Sequence, residues 1–356
     1  MTTLAARPDF ARVQATWAQF WAGTLKRPII SAVIPKPGVE PVPPPPWGAA
    51  YLRAAESVVD QALRYVETHQ FLGDAVPYHT PSVCIGLFGA LLGGRLEEIR
   101  ESWGVDTRCV PFLSTLDHPE LLRLDRQGAW WERYFALLDT YRRKARGVFI
   151  YGEPTPLYNL DYYAEIRGVT EAMLDLYDDP AGVHRVMARL HEIVVEILEA
   201  QKPYFEYDLW GSVTRHGFYS QGLTGVPQCD FGYSIGPQQF NEFGLPYLRR
   251  ECALLDDIEY HLDGVGNLRH MDSIFSIPNI KVIQWVPGAG KTQDWTPLYA
   301  EIATRGKGLY LGVRIDQVED FMRRFPQAPR MFLSVHAENA DEVNRLMDKL
   351  EKQCGQ

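Results

Sequence analysis

The sequence has no apolar run long enough to span a bilayer: the best candidate, "SVCIGLFGALLGG", is too short and too rich in glycine. It has no excess of basic residues either. The formal net charge is −9, and both nucleic acid and anionic membrane surfaces select basic faces, so neither is an expected partner. The acidic residues are spread along the chain and read as a solvated surface, not a tail. Cysteine is scarce. The five residues Cys84, Cys109, Cys229, Cys252 and Cys354 are odd in number and show no C-x-x-C spacing. That argues against a disulfide framework and fits a reducing cytoplasm. The segment "MTTLAARPDFARVQATW" lacks the apolar stretch of a signal peptide, so a cytoplasmic location is expected. No G-x-G-x-x-G turn follows a predicted strand, which removes the main signature of a dinucleotide-binding sheet.

What is present is an ordinary soluble composition. The chain has 356 residues, with 46% apolar and 23% charged side chains, enough for a core of good size. Phe10, Val13, Trp17 and Phe20 recur at helical spacing, and "RPIISAVIP" reads as a strand. "PKPGVEPVPPPPWG" cannot donate enough backbone hydrogen bonds for regular structure and is expected to wrap the body as an extended loop. A helix is expected over 52–69, then a short strand ending near Asp74 and Pro77. Trp103, Trp130 and Trp131 read as packing. In "DPAGVHRVMARLHEIVVEILEAQ", Asp179 is a helix N-cap and Pro180 the first helical residue.

From about residue 147 onward, short strands apolar on both faces alternate with amphipathic helices. That is the pattern of parallel strands covered by helices. With the length, it predicts a (β/α)8 TIM barrel with an N-terminal helical and loop extension. Residues 1–70 would be the extension packed on the barrel, and 71–356 the barrel itself, in one structural domain overall.

Active sites of such barrels lie at the C-terminal ends of the strands. The polar residues expected there are Asp74, Glu153, Arg215, His216, Tyr219, Cys229, Asp230, His261, Asp263, Gln284, Trp285, Arg314, His336 and Glu338. The stretch "IEYHLDGVGNLRH" is the most pointed of them. Residues two apart on a strand face the same way, so His261 and Asp263 would both face the barrel axis if Leu262 faces the helices. An imidazole and a carboxylate at one rim suit a divalent metal; they equally suit a polar layer in which His261 simply donates to a neighbour. Gly264 and Gly266 would let the chain turn sharply. Asp74 and Asp230 are candidate acid–base residues with Tyr219. Trp285, Gln284, Arg314, Phe231 and Arg215 are candidates to contact substrate. Arg269 and His270 are expected to be solvated, and His79 to lie in a loop.

The segments "CDFGYSIGPQQFNEFGLPYLRRE", "YHLDGVGNLRHMDSI" and "IQWVPGAGKTQDWTPLYAEI", in that order, resemble the C-terminal half of the uroporphyrinogen decarboxylase superfamily. The resemblance implies a TIM barrel and one of two chemistries. True decarboxylases carry an "R-x-P-x-W-x-M-R-Q-A-G-R" stretch that nothing here matches. The other chemistry is methyl transfer linked to a corrinoid, with zinc held by a His-x-Cys pair and a later Cys. By that resemblance His261 falls on the histidine, Asp263 on the first cysteine, and His336 or Glu338 near the second, with Cys229 as another candidate third ligand. The resemblance thus implies Zn²⁺, a corrinoid carried by a partner protein and a small methyl donor or acceptor as substrate; a homodimer is left open. A metal-independent decarboxylase or lyase, and a non-catalytic barrel binding a small ligand or tetrapyrrole, are the alternatives.

Overall fold

The helix predicted at the N-terminus spans Phe10–Ala22 in the computed structural model, which describes residues 3–101, 104–153, 159–326, 328 and 330–354. Trp103 lies outside them. The helix buries Phe10, Val13, Trp17 and Phe20, the four positions spaced for one face. Trp17 packs edge-on against Phe332, at 5.4 Å between ring centroids. A fully buried aromatic side chain of this kind contributes about 1.5–3 kcal/mol through burial alone.

Eleven strands follow in the described residues: β1 (Ile29–Pro35), β2 (His69–Gly73), β3 (Leu96–Glu101), β4 (Gly104–Cys109), β5 (Ser212–Val213), β6 (Tyr219–Ser220), β7 (Thr224–Gly225), β8 (Asp257–Asp263), β9 (Ile280–Val286), β10 (Gly308–Arg314) and β11 (Met331–His336). Seven form one sheet in the order β2-β1-β11-β10-β9-β8-β7. Only β2 runs antiparallel to its neighbour; the other pairs are parallel. β8 to β11 are the strands that apolar runs mark in the sequence, and helices cover them because a parallel sheet must bury both faces. β1, from within residues 1–70, is a strand of this sheet and pairs with both β2 and β11. The closed barrel expected from sequence is not seen as a continuous ring of strands among the described residues. What exists is a mixed α/β fold with a mostly parallel seven-stranded sheet, continued by single backbone contacts. Ile150 donates to the Pro77 carbonyl at 2.9 Å and Val213 to Gly152 at 2.9 Å. The segment 147–153 makes one parallel bridge, Tyr78 to Ile150.

The longest helix, Pro180–Phe205, starts as its sequence dictates. The Asp179 carboxylate accepts the Gly182 N–H at 2.8 Å, and Pro180 occupies the first turn. The proline loop leans on the helix Ala55–Thr68: Val42 N–H donates to Thr68 Oγ1 at 3.2 Å. Its last aromatic, Trp47, reaches the cavity described next. No helix among the described residues is long and apolar enough to cross a membrane.

Candidate functional site

β8 carries the centre of the site. Glu259, His261 and Asp263 alternate along it and so share one face. The strand ends because Gly264 takes a left-handed φ of +77°, and a Cβ there would meet the Tyr233 ring at 2.8 Å. The Asp263 carboxylate lies 3.9 Å from His261 Nε2. Asp230 joins them from the 3₁₀ turn Asp230–Ser234. One donor atom from each of Asp230, His261 and Asp263 lies within 4.8 Å of the others. That turn is pinned by Asp161, whose carboxylate accepts the N–H groups of Asp230 at 3.0 Å and Phe231 at 2.7 Å.

The donor set suits a cation. His261 Nδ1 bonds to Gln284 Oε1, and a carbonyl oxygen can only accept, so Nδ1 bears the proton and Nε2 its lone pair. Burial, then the Arg215 charge, pushes the His261 pKa down to about 4, so the ring is neutral near pH 7. Burial first, then the carboxylates of Asp161 and Asp263, pushes Asp230 up to about 8, although its side chain opens into the cavity. Asp263 is raised too, by burial, with the Gly264 N–H opposing. Crowded carboxyls that resist ionising together are what a divalent ion would relieve.

Beside this cluster lies a cavity of about 1290 Å³, reached by Asp230 and His261 but not by Asp263. Arg215, His216, Gln228, Asp230, Phe231 and His261 line it, with Asp161 and Glu165. Arg215 donates to Glu153 Oε1 at 3.2 Å and Gln228 Oε1 at 2.8 Å. Gln228 in turn donates to Asp230 Oδ2 at 2.7 Å. His216 Nδ1 is held 2.5 Å from Glu259 Oε1, and Thr214 Oγ1 donates to the same fully buried carboxylate at 3.0 Å. That contact leaves His216 Nε2 as the ring nitrogen available to the cavity.

Other expected residues lie elsewhere. Asp74 is not among the cavity residues; it is fully buried and accepts two hydrogen bonds from Arg27, at 2.6 and 3.0 Å. Tyr219 is buried, donating to the Trp210 carbonyl at 2.9 Å and accepting from Gln14 at 2.8 Å. Trp285 packs edge-on against Trp295 at 5.1 Å. Arg314 is exposed and paired with Asp316. His336 is exposed at the end of β11, in register with Arg314. Glu338 follows it in an exposed turn. Neither belongs to the group formed by Asp230, His261 and Asp263. Cys229 is buried and its thiol is raised well above its usual range by burial. His270, expected to be solvated, is buried and bonded to the Gly232 carbonyl at 2.9 Å. Sequence reasoning passed over Glu259, Asp161 and Glu165. Glu259 carried a signal, since it sits two before His261 on the same strand face; the other two lie on a helix whose register gives no hint of a cavity.

A further acid lies outside the cavity lining. Glu251 is buried, accepts from Asn159 Nδ2 at 3.3 Å, and is pushed up to about 8 by burial. A carboxyl whose folded pKa lies above its unfolded value holds a proton that the unfolded chain releases. Stability from this group is therefore present at low pH and lost as pH rises from about 4.5 to about 8. Glu251→Gln should flatten that slope, by at most about 1.4 kcal/mol per pH unit. Urea unfolding of both proteins at pH 5 and pH 8 checks it: equal slopes would show that Glu251 is already ionised in the fold.

Among solved structures, the chain is similar to a methyltransferase from Methanosarcina mazei, with a TM-score of 0.57 and 12% identity, over 97% of this chain and 99% of that one. At that identity the likeness is one of fold. No family model matches the chain. No curated protein matches its sequence.

Proposed function

We propose that this chain is a metal-dependent methyltransferase with the barrel architecture of the uroporphyrinogen decarboxylase superfamily. The observation that carries the reading is the grouping of Asp230, His261 and Asp263, three donors within 4.8 Å of one another, beside a cavity of about 1290 Å³. The parallel bridge from Tyr78 to Ile150 and the hydrogen bond from Val213 to Gly152 support a closed barrel, since they continue backbone contact beyond the sheet. The fold shared with a protein named as a methyltransferase supports the chemistry.

The ion we propose is zinc, which accepts imidazole nitrogen and carboxylate oxygen and leaves a position for substrate when it has three protein ligands. Bound there, it would supply Lewis acidity toward the heteroatom that loses its methyl group. The chain's own residues set up the rest. Gln284 fixes the ring of His261 and its tautomer. Asp161 holds the turn that presents Asp230. Glu259 orients His216 toward the substrate space. The methyl acceptor in this reading is a corrinoid on a partner protein, docked over the cavity mouth.

A second reading, a metal-independent lyase, is favoured by one observation. Asp230, held up to about 8, stands in a hydrogen-bonded chain with Gln228 and Arg215 and would serve as an acid near neutral pH. Metal content separates the two. Protein purified without chelator should carry near one zinc per chain, and His261→Ala none. Wild type that stays free of stoichiometric metal after zinc reconstitution would move the assignment to the lyase.

A further inference from the structure

We infer that the substrate is a neutral, largely apolar molecule with a flat aromatic body, bearing its methylated heteroatom at one end. The inference rests on the reading that the Asp230–His261–Asp263 end is the reacting end. It adds what fills the remainder of the cavity.

Size comes first. Sites for drug-sized ligands run from about 300 to 1,000 Å³, and this cavity is about 1290 Å³. Methanol or a methylamine seated on the three donors would leave nearly all of it wet.

Polarity comes second, because it is segregated. Asp161, Asp230, Gln228, Arg215 and Glu153 form one hydrogen-bonded chain beside His261. The remaining wall is largely apolar: Val83, Leu87, Phe88, Leu91, Val110 and Ile197 all line it. Glu165 interrupts that wall, but it accepts the Gly89 N–H at 3.0 Å and burial pushes it up to about 7. A ligand polar at one end and apolar along its body matches this division; a uniformly polar one does not.

Charge and shape come third. The two arginines on the lining are committed: Arg108 to Glu97 at 3.2 Å and Arg215 to Glu153. A polycarboxylate would have to share each of these cations with an acidic neighbour already paired to it. Trp47, Phe88, Tyr162 and Phe231 lie on the lining, with Phe88 and Tyr162 stacked at 3.7 Å between centroids. Aromatic walls favour a planar partner. Trp47, Ile85 and Val169 are 39%, 48% and 55% exposed while lining this space, large apolar surfaces left in contact with water.

The test is binding, not turnover. Wild type and His261→Ala, both metal-free, are titrated calorimetrically with 2-methoxynaphthalene, hexyltrimethylammonium and methanol. The expected result is a Kd for 2-methoxynaphthalene on the order of 10–100 µM. Affinity in His261→Ala should stay within about threefold, since the apolar wall is untouched. Ile85→Asp, at a position 48% exposed, should weaken the neutral aromatic by about tenfold or more by setting a charge on that wall. No saturable binding of 2-methoxynaphthalene, tighter binding of hexyltrimethylammonium, or an Ile85→Asp variant that binds like wild type would each overturn the inference. Zinc content is read on separate samples. Zinc bound without aromatic binding sinks this inference and spares the metal reading; aromatic binding without zinc does the reverse.

Discussion

Asp74→Asn should lower the unfolding free energy by about 3–5 kcal/mol, because it breaks a buried ion pair by removing one partner. Asp74 is 0% exposed and the Arg27 side chain 3%. The carboxylate takes two bonds from Arg27 and one from the Ile30 N–H at 3.0 Å, tying the approach to β1 to the segment after β2. Proteins of this kind hold only about 5–15 kcal/mol in all, so the loss would show as a large fall in urea midpoint. An Asp74 that acted as acid or base would give the opposite result, a stable protein without activity. The double change Arg27→Met, Asp74→Asn removes both charges while Asn Oδ1 can still accept the Ile30 N–H, and should recover part of the loss. A double variant as unstable as Asp74→Asn would show that the two residues act separately.

Asp74 also shows how far strand-end reasoning goes. The position was legible: an acid after an apolar run. Its partner was not, because Arg27 is distant in sequence and only the pairing of β1 with β2 brings the two together. The same limit explains the remaining fold. β8 to β11 were plain, since each is a compact apolar run between helical patterns. The Asp179 cap was plain because capping is local. The β3–β4 hairpin was not, as "RLEEIRESWGVDTRC" is rich in charge and its alternation is weak. The helices Ala129–Ala145 and Asn159–Arg167 were passed over: Trp130 and Trp131 read as packing without a period, and nothing in 159–167 marked a helix.

The site divides in the same way. His261 and Asp263 follow from the period of a strand alone, and their side chains do converge. Gln284 follows once β8 and β9 are placed in register, His261 opposite Gln284. The third donor does not follow. His336 and Glu338 stand at a strand end, where the rule for barrels points. A strand end says nothing about distance across the sheet, and both side chains remain exposed. Asp230 comes from a 3₁₀ turn that Asp161 holds by two backbone N–H groups, an arrangement made wholly by tertiary structure.

That difference yields the sharpest expectation. Asp230→Asn should weaken zinc binding by about a hundredfold or more, whereas His336→Ala should leave it unchanged. Structural zinc sites with four ligands bind with about 10–16 kcal/mol, so one ligand carries roughly 3 kcal/mol, about two powers of ten in affinity. Asn keeps the volume and one weak oxygen donor but loses the charge, and it also relieves the crowding among Asp161, Asp230 and Asp263. Relief of crowding would raise the stability of the metal-free protein while its zinc affinity falls. A merely structural aspartate would not move the two quantities in opposite directions. Competition titration with a chelating dye gives the affinity, and thermal melts of the metal-free proteins give the stability. If His336→Ala loses zinc and Asp230→Asn keeps it, the ion sits nearer β11 and the three-donor group on β8 is a polar layer.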